Sequence, residues 1–177
     1  NSSRGKPYVN TASVKNTGWE FMMNYRKQLT KDFHIDATFN IATLKNKVLS
    51  LGENVQPITS GAMSSYFSDA PSITMPGEAI GSFYGYKIEG FDAEGNFIFA
   101  DTDKNGVVNA NDKVILGSPI PDFTYGLNIN MEYKDFDLTV FFQGVQGNDI
   151  FNQKKYTYYF DYSNNVVKDA LNGWTKT

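Results

Sequence analysis

Apolar and polar residues alternate strictly in two regions of the chain. In the first, residues 13–26, Trp19, Phe21, Met23 and Tyr25 share one side, and Glu20, Met22, Asn24 and Arg26 the other. After a polar connection at 27–32, residues 33–46 set Phe33, Ile35, Ala37, Phe39 and Ile41 against His34, Asp36, Thr38, Asn40 and Ala42. In the second region, 124–133 carries Tyr125, Leu127, Ile129, Met131 and Tyr133 against Gly126, Asn128, Asn130 and Glu132. A short turn at Lys134 and Asp135 leads into 136–144, where Phe136, Leu138, Val140 and Phe142 alternate with Asp137, Thr139, Phe141 and Gln143. A period of two over such lengths predicts long strands with one apolar face, arranged as two hairpins. Phe141 alone breaks the polar side of its strand.

Between the hairpins, residues 47–123 are rich in Gly, Ser, Asn and Pro, and they predict one small hairpin, 86–91 with 97–100, turning at Glu94, Gly95 and Asn96. A further irregular stretch, 145–177, is marked by Tyr156, Tyr158, Tyr159, Phe160 and Tyr162. Connections thus alternate short and long. Membrane barrels have this asymmetry, with short turns on the periplasmic side and long loops outside. Aromatics flank both short turns, Tyr25 with Phe33 and Tyr133 with Phe136, where an interfacial girdle would lie. A soluble antiparallel sheet alternates for the same physical reason, so alternation alone leaves both readings open, and the loop asymmetry favours the membrane.

Composition narrows the classes. The chain of 177 residues has a net charge of −3, one His and no Cys. No basic patch points to nucleic acid, and disulfides and thiolate chemistry are excluded. No run of about 18 apolar residues provides a membrane helix, which leaves barrel strands untouched because their mean hydropathy stays low. Asn1 to Lys6 form no signal-peptide core, so an exported protein would have its start elsewhere.

The sharpest chemical motif lies at 101–112. Asp101, Asp103, Asn105, Gly106, Asn109 and Asp112 match positions of an EF-hand-type loop. Calcium is a hard cation requiring six to eight oxygens. Asp101, Asp103 and Asn105 would supply side-chain oxygens, Val107 its carbonyl, Asn109 a direct or water-mediated contact, and Asp112 the closing carboxylate. Gly106 permits the sharp turn and Val108 an apolar anchor. Asp112 replaces the usual Glu, so binding is expected to be modest, and the absence of long flanking amphipathic helices argues against a calcium switch. An ion-free turn rich in Asx residues is the plainer alternative.

Other constellations are weaker. His34 sits on a polar strand face with no second His to complete a metal site. Asp92 and Glu94 flank a turn, where a glycosidase pair is conceivable but unsupported. No serine lies in a nucleophile-elbow pattern, and Gly81, Gly85 and Gly90 open no helix. The tyrosines of 156–162 could stack on sugars or simply pack. No nucleophile–base–orienter set is present, so no enzymatic activity is expected.

Several segments in order resemble the SusC/RagA family of TonB-linked outer-membrane receptors. They are Ser13 to Glu20, Asn40 to Val48, Gly81 to Tyr86 with Gly90 and Phe91, the acidic loop 101–112, Leu116 to Gly126, and Phe142 to Asn152. The resemblance implies an all-β fold, antiparallel strands forming part of a 22-stranded transmembrane barrel, with 47–123 as an extracellular loop region. It also implies import of oligosaccharide, glycan or peptide across the outer membrane of a Gram-negative bacterium, contact with outer-membrane lipid, a SusD-type surface lipoprotein as partner, and TonB acting through an N-terminal plug. Four long strands without a plug cannot close a barrel, so the chain is expected to be a segment of a longer protein. The rival reading is a soluble, calcium-stabilised carbohydrate-binding β-sandwich, whose apolar strand faces would cover a second sheet. A glycoside hydrolase domain is the weakest reading.

Overall fold

A computed structural model describes residues 12–61, 70–159 and 167–168. Twelve strands order as β1 (Ala12–Thr17), β2 (Glu20–Thr30), β3 (Phe33–Thr43), β4 (Lys45–Leu51), β5 (Ile58–Ser60), β6 (Ser72–Thr74), β7 (Ser82–Tyr86), β8 (Ile88–Phe91), β9 (Phe97–Phe99), β10 (Lys113–Gly117), β11 (Phe123–Tyr133) and β12 (Phe136–Gln146). A 3-10 turn, Ala110–Asp112, precedes β10, and a short helix α1, Gln153–Tyr159, follows β12. The strands make four antiparallel sheets, in the orders β1-β4, β10-β7-β6-β5, β12-β11-β3-β2 and β8-β9.

The longest sheet joins the two predicted hairpins through β3 and β11, which pair without a break from Phe33↔Tyr133 to Thr43↔Phe123. Its register lines up residues across all four strands. One face carries the rows Phe21–Ile41–Tyr125–Gly144, Met23–Phe39–Leu127–Phe142, Tyr25–Ala37–Ile129–Val140, Lys27–Ile35–Met131–Leu138 and Thr30–Phe33–Tyr133–Phe136. Only Lys27 and Thr30, both near the short turns, interrupt its apolar character. The other face is polar and partly self-paired. Arg26 bridges Asp36 at 2.6 Å, Thr38 Oγ1 donates to Asn24 Oδ1 at 2.8 Å, and Thr139 Oγ1 donates to Asn130 Oδ1 at 2.9 Å. Both short turns emerge at one end, where the Lys134 N–H donates to the Asp32 carbonyl at 2.9 Å.

No described layer covers the apolar face. Phe136 is 78% exposed, Phe142 56% and Leu138 54%. The only buried apolar side chains among the described residues are Val48, Ile73 and Ala100, all outside this sheet.

The structure corrects the 22-stranded transmembrane barrel. Among the described residues the strands fall into separate sheets of two, four, four and two strands, and none closes. The description of the chain as a β-barrel or as a fragment of a membrane barrel falls with it. Closure would need the edges β2 and β12 to meet, but they lie at opposite sides of the sheet. The stretch 47–123 is also more ordered than its composition implied. It holds β5, β6 and β7, which join β10 in a second four-stranded sheet, as well as the hairpin β8–β9.

The stretches 13–26 and 33–46 each divide into two strands, and the breaks face each other. The Thr43 N–H donates to the Trp19 carbonyl at 2.9 Å, and the Trp19 N–H donates to Thr43 Oγ1 at 3.0 Å. Beyond this clasp the ribbon continues as β1 paired with β4. Gly18 is required at the bend because a Cβ there would overlap the Thr43 carbonyl oxygen. The first residues, Asn1 to Lys6, and Phe160 and Tyr162 lie outside the described residues.

Gly18→Ala should therefore destabilise the protein by about 1–3 kcal/mol through backbone overpacking. Gly90→Ala, where an added Cβ meets nothing within 4 Å, should change stability by less than about 0.5 kcal/mol. Urea denaturation midpoints of the two variants check the pair; equal midpoints would show that the bend does not depend on Gly18.

Candidate metal centre

The acidic loop 101–112 connects the end of β9 to the start of β10. Its entry is held by the Ala100 N–H, which donates to the Lys87 carbonyl at 2.9 Å. Within it, each short carboxylate or amide accepts from backbone N–H groups a few residues on, as Asp and Asn side chains readily do. Asp101 accepts from the N–H of Asn105 at 3.1 Å and of Gly106 at 2.7 Å. Asp103 accepts from the Asn105 N–H at 3.1 Å and from its side-chain amide at 2.8 Å. Asn105 Oδ1 in turn accepts from the Val107 N–H at 2.8 Å. The tight winding places Lys104 at φ 58° and Gly106 at φ 84°.

Asp112 closes the loop from within. Its side chain is fully enclosed. One oxygen accepts from the Thr102 N–H at 2.7 Å and from Thr102 Oγ1 at 3.3 Å; the other accepts from the Asn109 N–H at 2.7 Å. Asn109 caps the 3-10 turn reciprocally, with its side chain accepting from the Asn111 N–H at 2.9 Å. The backbone N–H of Asn109 is the main reason that the Asp112 carboxyl is held below the ordinary carboxylate range. Burial opposes this, and the Asp103 and Thr102 donors support it.

These contacts bring carboxylate oxygens of Asp101, Asp103 and Asp112 within 4.8 Å of one another. Three carboxylates this close repel each other, and the N–H donors offset only part of that repulsion. Such a cluster can chelate a metal ion. Its donors are hard oxygens without imidazole or thiolate, which fits Ca²⁺ or Mg²⁺ better than a softer transition metal. Asn105 lies alongside. The Val107 carbonyl accepts from the Asn109 side-chain amide at 3.0 Å, so Asn109 is committed to the loop through both its amide nitrogen and its oxygen. Thr102 is the contributor that motif reading passes over. The Asn109–Asp112 spacing of a capping box was the available signal for the closure.

The remaining candidates take structural places. Asp92 accepts from the N–H of Glu94 at 2.9 Å and of Asn96 at 2.8 Å, and from the Asn96 side chain at 2.9 Å. It is the organiser of the β8–β9 turn, and these bonds, led by the Asn96 side chain, lower its pKa. A proton donor for glycoside cleavage needs the opposite shift. His34 lies on the polar face opposite Glu132 and Gln28, beside the short turns.

No family model matches the chain. Curated proteins do. The chain is 34% identical over 184 residues to TonB-dependent receptor P3 of Formosa agariphila, covering 95% of this chain and 18% of that receptor. It is 30% identical over 169 residues to TonB-dependent receptor P26 of the same organism, covering 86% of this chain and 17% of the receptor. To TonB-dependent receptor SusC of Bacteroides thetaiotaomicron it is 30% identical over 178 residues, covering 93% of the chain and 16% of SusC. Among solved structures it is similar to the RagAB peptide transporter, with a TM-score of 0.75, 20% identity, and coverage of 94% of this chain and 19% of that one. The RagAB peptide importer in its closed-closed state gives a TM-score of 0.65 at 20% identity, covering 86% and 17%. The chain therefore spans less than a fifth of the length of these relatives. The similarities support kinship with the TonB-dependent receptors at the level of the family, which is a non-enzymatic transport system.

Because the folded-state pKa of Asp112 is depressed, its contribution to stability is complete above the ordinary carboxylate value and is lost as pH falls through the lowered one. Exchange of the Thr102 and Asn109 amide protons, corrected for intrinsic rates, should accelerate on acidification below about pH 4. Asp112→Asn should raise both rates about tenfold or more at neutral pH, because it removes charge-assisted bonds. Unchanged protection in the variant would show that the carboxylate does not hold the loop.

Proposed function

We propose that this chain is part of a TonB-dependent receptor of a Gram-negative outer membrane, importing a nutrient, an oligosaccharide or a peptide, with a SusD-type surface lipoprotein as partner and TonB as energy source. The observation that carries this reading is the similarity of 95% of the chain to TonB-dependent receptor P3. The long sheet agrees with it physically. Five rows of largely apolar side chains on one face, with amides, hydroxyls and an ion pair on the other, leave an apolar face exposed, which suits a segment that packs within a larger receptor. The soluble β-sandwich would need a second sheet over the apolar face, and none of the described strands lies there. In this reading the connection 47–123 faces the cell exterior.

A second proposal concerns the acidic loop. Ca²⁺ would be held by Asp101, Asp103, Asn105, the Val107 carbonyl and Asp112, with Asn109 reached through water because its own oxygen caps the 3-10 turn. Its role would be structural, relieving the repulsion among the three carboxylates and fixing the turn between β9 and β10.

The intact receptor expressed in its Gram-negative host should fractionate with the outer membrane, co-purify with a surface lipoprotein, and lose nutrient uptake when TonB is removed. Leu127→Arg should deplete the assembled receptor far more than Asn128→Arg, since it sets a charge on the apolar face of the long sheet. Periplasmic recovery, or equal depletion by the two substitutions, would refute the reading.

Calcium titrated into the protein should bind with a dissociation constant of about 10⁻⁴–10⁻³ M. Binding should vanish in the Asp101→Ala, Asp103→Ala double variant. If the double variant binds as well as the parent, or if neither binds at millimolar calcium, the loop is an ion-free turn.

A further inference from the structure

The sequence sets an Asn directly before a Gly at two places, Asn105–Gly106 and Asn172–Gly173, and the first lies among the described residues, on the exposed part of the acidic loop. This dipeptide has a chemistry of its own. Gly106 carries no side chain to shield its backbone nitrogen, so that nitrogen can attack the side-chain carbonyl carbon of Asn105, Cγ. A bond forms from the Gly106 nitrogen to Cγ, the Cγ–Nδ2 bond breaks, and Nδ2 leaves as ammonia with the proton given up by the Gly106 N–H. Water then opens the resulting cyclic imide at either carbonyl, leaving aspartate or isoaspartate at position 105.

The folded loop ties up the reacting groups. The Gly106 N–H donates to Asp101 Oδ2 at 2.7 Å, Asn105 Nδ2 donates to Asp103 Oδ2 at 2.8 Å, and Asn105 Oδ1 accepts from the Val107 N–H at 2.8 Å. The nucleophile and both ends of the amide are thus held by different partners. Cγ must swing onto the Gly106 nitrogen for an intramolecular attack, and it is free to do so only when these ties are released. Attack also needs the Gly106 nitrogen to lose its proton. The carboxylate oxygens of Asp101, Asp103 and Asp112, within 4.8 Å of one another, disfavour a further negative charge beside them.

We propose that Asn105 is a site of spontaneous deamidation gated by the acidic loop: the closed loop protects it, and each opening exposes it to conversion. The change runs one way. The Nδ2 donor to Asp103 is replaced by a carboxylate oxygen, so a hydrogen bond becomes a repulsion, and a fourth carboxylate joins the three already gathered. Isoaspartate also adds a backbone methylene just before the left-handed turn at Gly106, φ 84°, so the loop cannot rewind on the same contacts. The link between β9 and β10 therefore keeps a lasting mark of having opened. The inference is independent of a bound cation and of the transport reading.

The test follows the intact receptor in a chelating buffer at neutral pH, beside a synthetic peptide of residues 99–114. Peptide mapping by mass spectrometry reads the exchange of NH2 for OH at position 105, and enzymatic methylation of isoaspartate reads the isomer. Deamidation should be at least about tenfold slower in the receptor than in the peptide, as expected where reaction proceeds only from a locally open state. Asp101→Ala and Asp103→Ala should each speed it several-fold, and amide exchange of Gly106 and Val107 should accelerate in step. Gly106→Ala in the Asp101→Ala background should slow it, because a methyl beside the nucleophile hinders attack. Asn105→Gln, whose longer side chain closes a larger ring far more slowly, should leave position 105 unchanged over the same period. Deamidation in the receptor at the peptide's rate would overturn the gate, and so would variants whose exchange does not accelerate, or accelerates without faster deamidation. An unmodified position 105 in the peptide would overturn the site. The comparison of receptor with peptide needs no substitution, so it decides the matter even where a variant fails to assemble.

Discussion

The pairing of β3 with β11 is the constraint from which the rest of the molecule follows. Two local hairpins separated by a long connection are joined through eleven consecutive residue pairs. Side chains in a strand alternate with a period of two, so a slip of a single residue would mix Leu127 and Ile129 with Asn40 and Asp36 on one face. The observed register keeps five rows apolar on one side and places the Arg26–Asp36 bridge and the Asn–Thr pairs on the other. The same pairing gathers both short turns at one end. At the opposite end it brings Leu44 to Asp122, where the Leu44 N–H donates to the Asp122 carbonyl at 3.0 Å.

That contact turns the long connection into a closed excursion. Leaving at Leu44 and returning at Asp122, it first pairs with β1 through β4 and then builds small sheets of its own. Asn46 shows how the excursion is anchored: its side chain donates to Asn16 across the β1–β4 ribbon and accepts from the Ile80 N–H at 2.8 Å. Val48, fully enclosed, exchanges backbone bonds with Gly77 and Glu78. The return is secured by Asp149, whose carboxylate accepts from the Ser118 N–H at 2.9 Å while lying where a side chain on Gly117 would be. Motifs that look unrelated along the chain, the Gly117–Pro121 turn and the Gly147–Asp149 turn, are two halves of one clasp.

Function divides along the same lines. The sheet offers an apolar side and a polar side, while the acidic cluster lies in the excursion, in the loop between β9 and β10. There, Asp112 works through an enclosed carboxylate held by backbone donors, and Asp101 and Asp103 remain nearer to solvent.

Which residues share a strand face was legible in the residues themselves, because a period of two is a local property; the first turn was not, since residues 27–30 of the expected connection continue β2. The close spacing of acidic and amide residues in 101–112 was equally legible, since a tight loop folds on its own Asx contacts. The order within 47–123 was not. Short strands such as Ile58–Ser60 and Ser72–Thr74 carry too few residues to show a period, and their partners are set by distant backbone groups. Nor could alternation reveal the bend at Gly18, which depends on the Thr43 carbonyl reached only after the hairpin has folded back. The sequence by itself determined which residues share a face; the tertiary structure decided which strands meet and where the sheet ends, because hydrogen bonding between strands depends on contacts that no local pattern encodes.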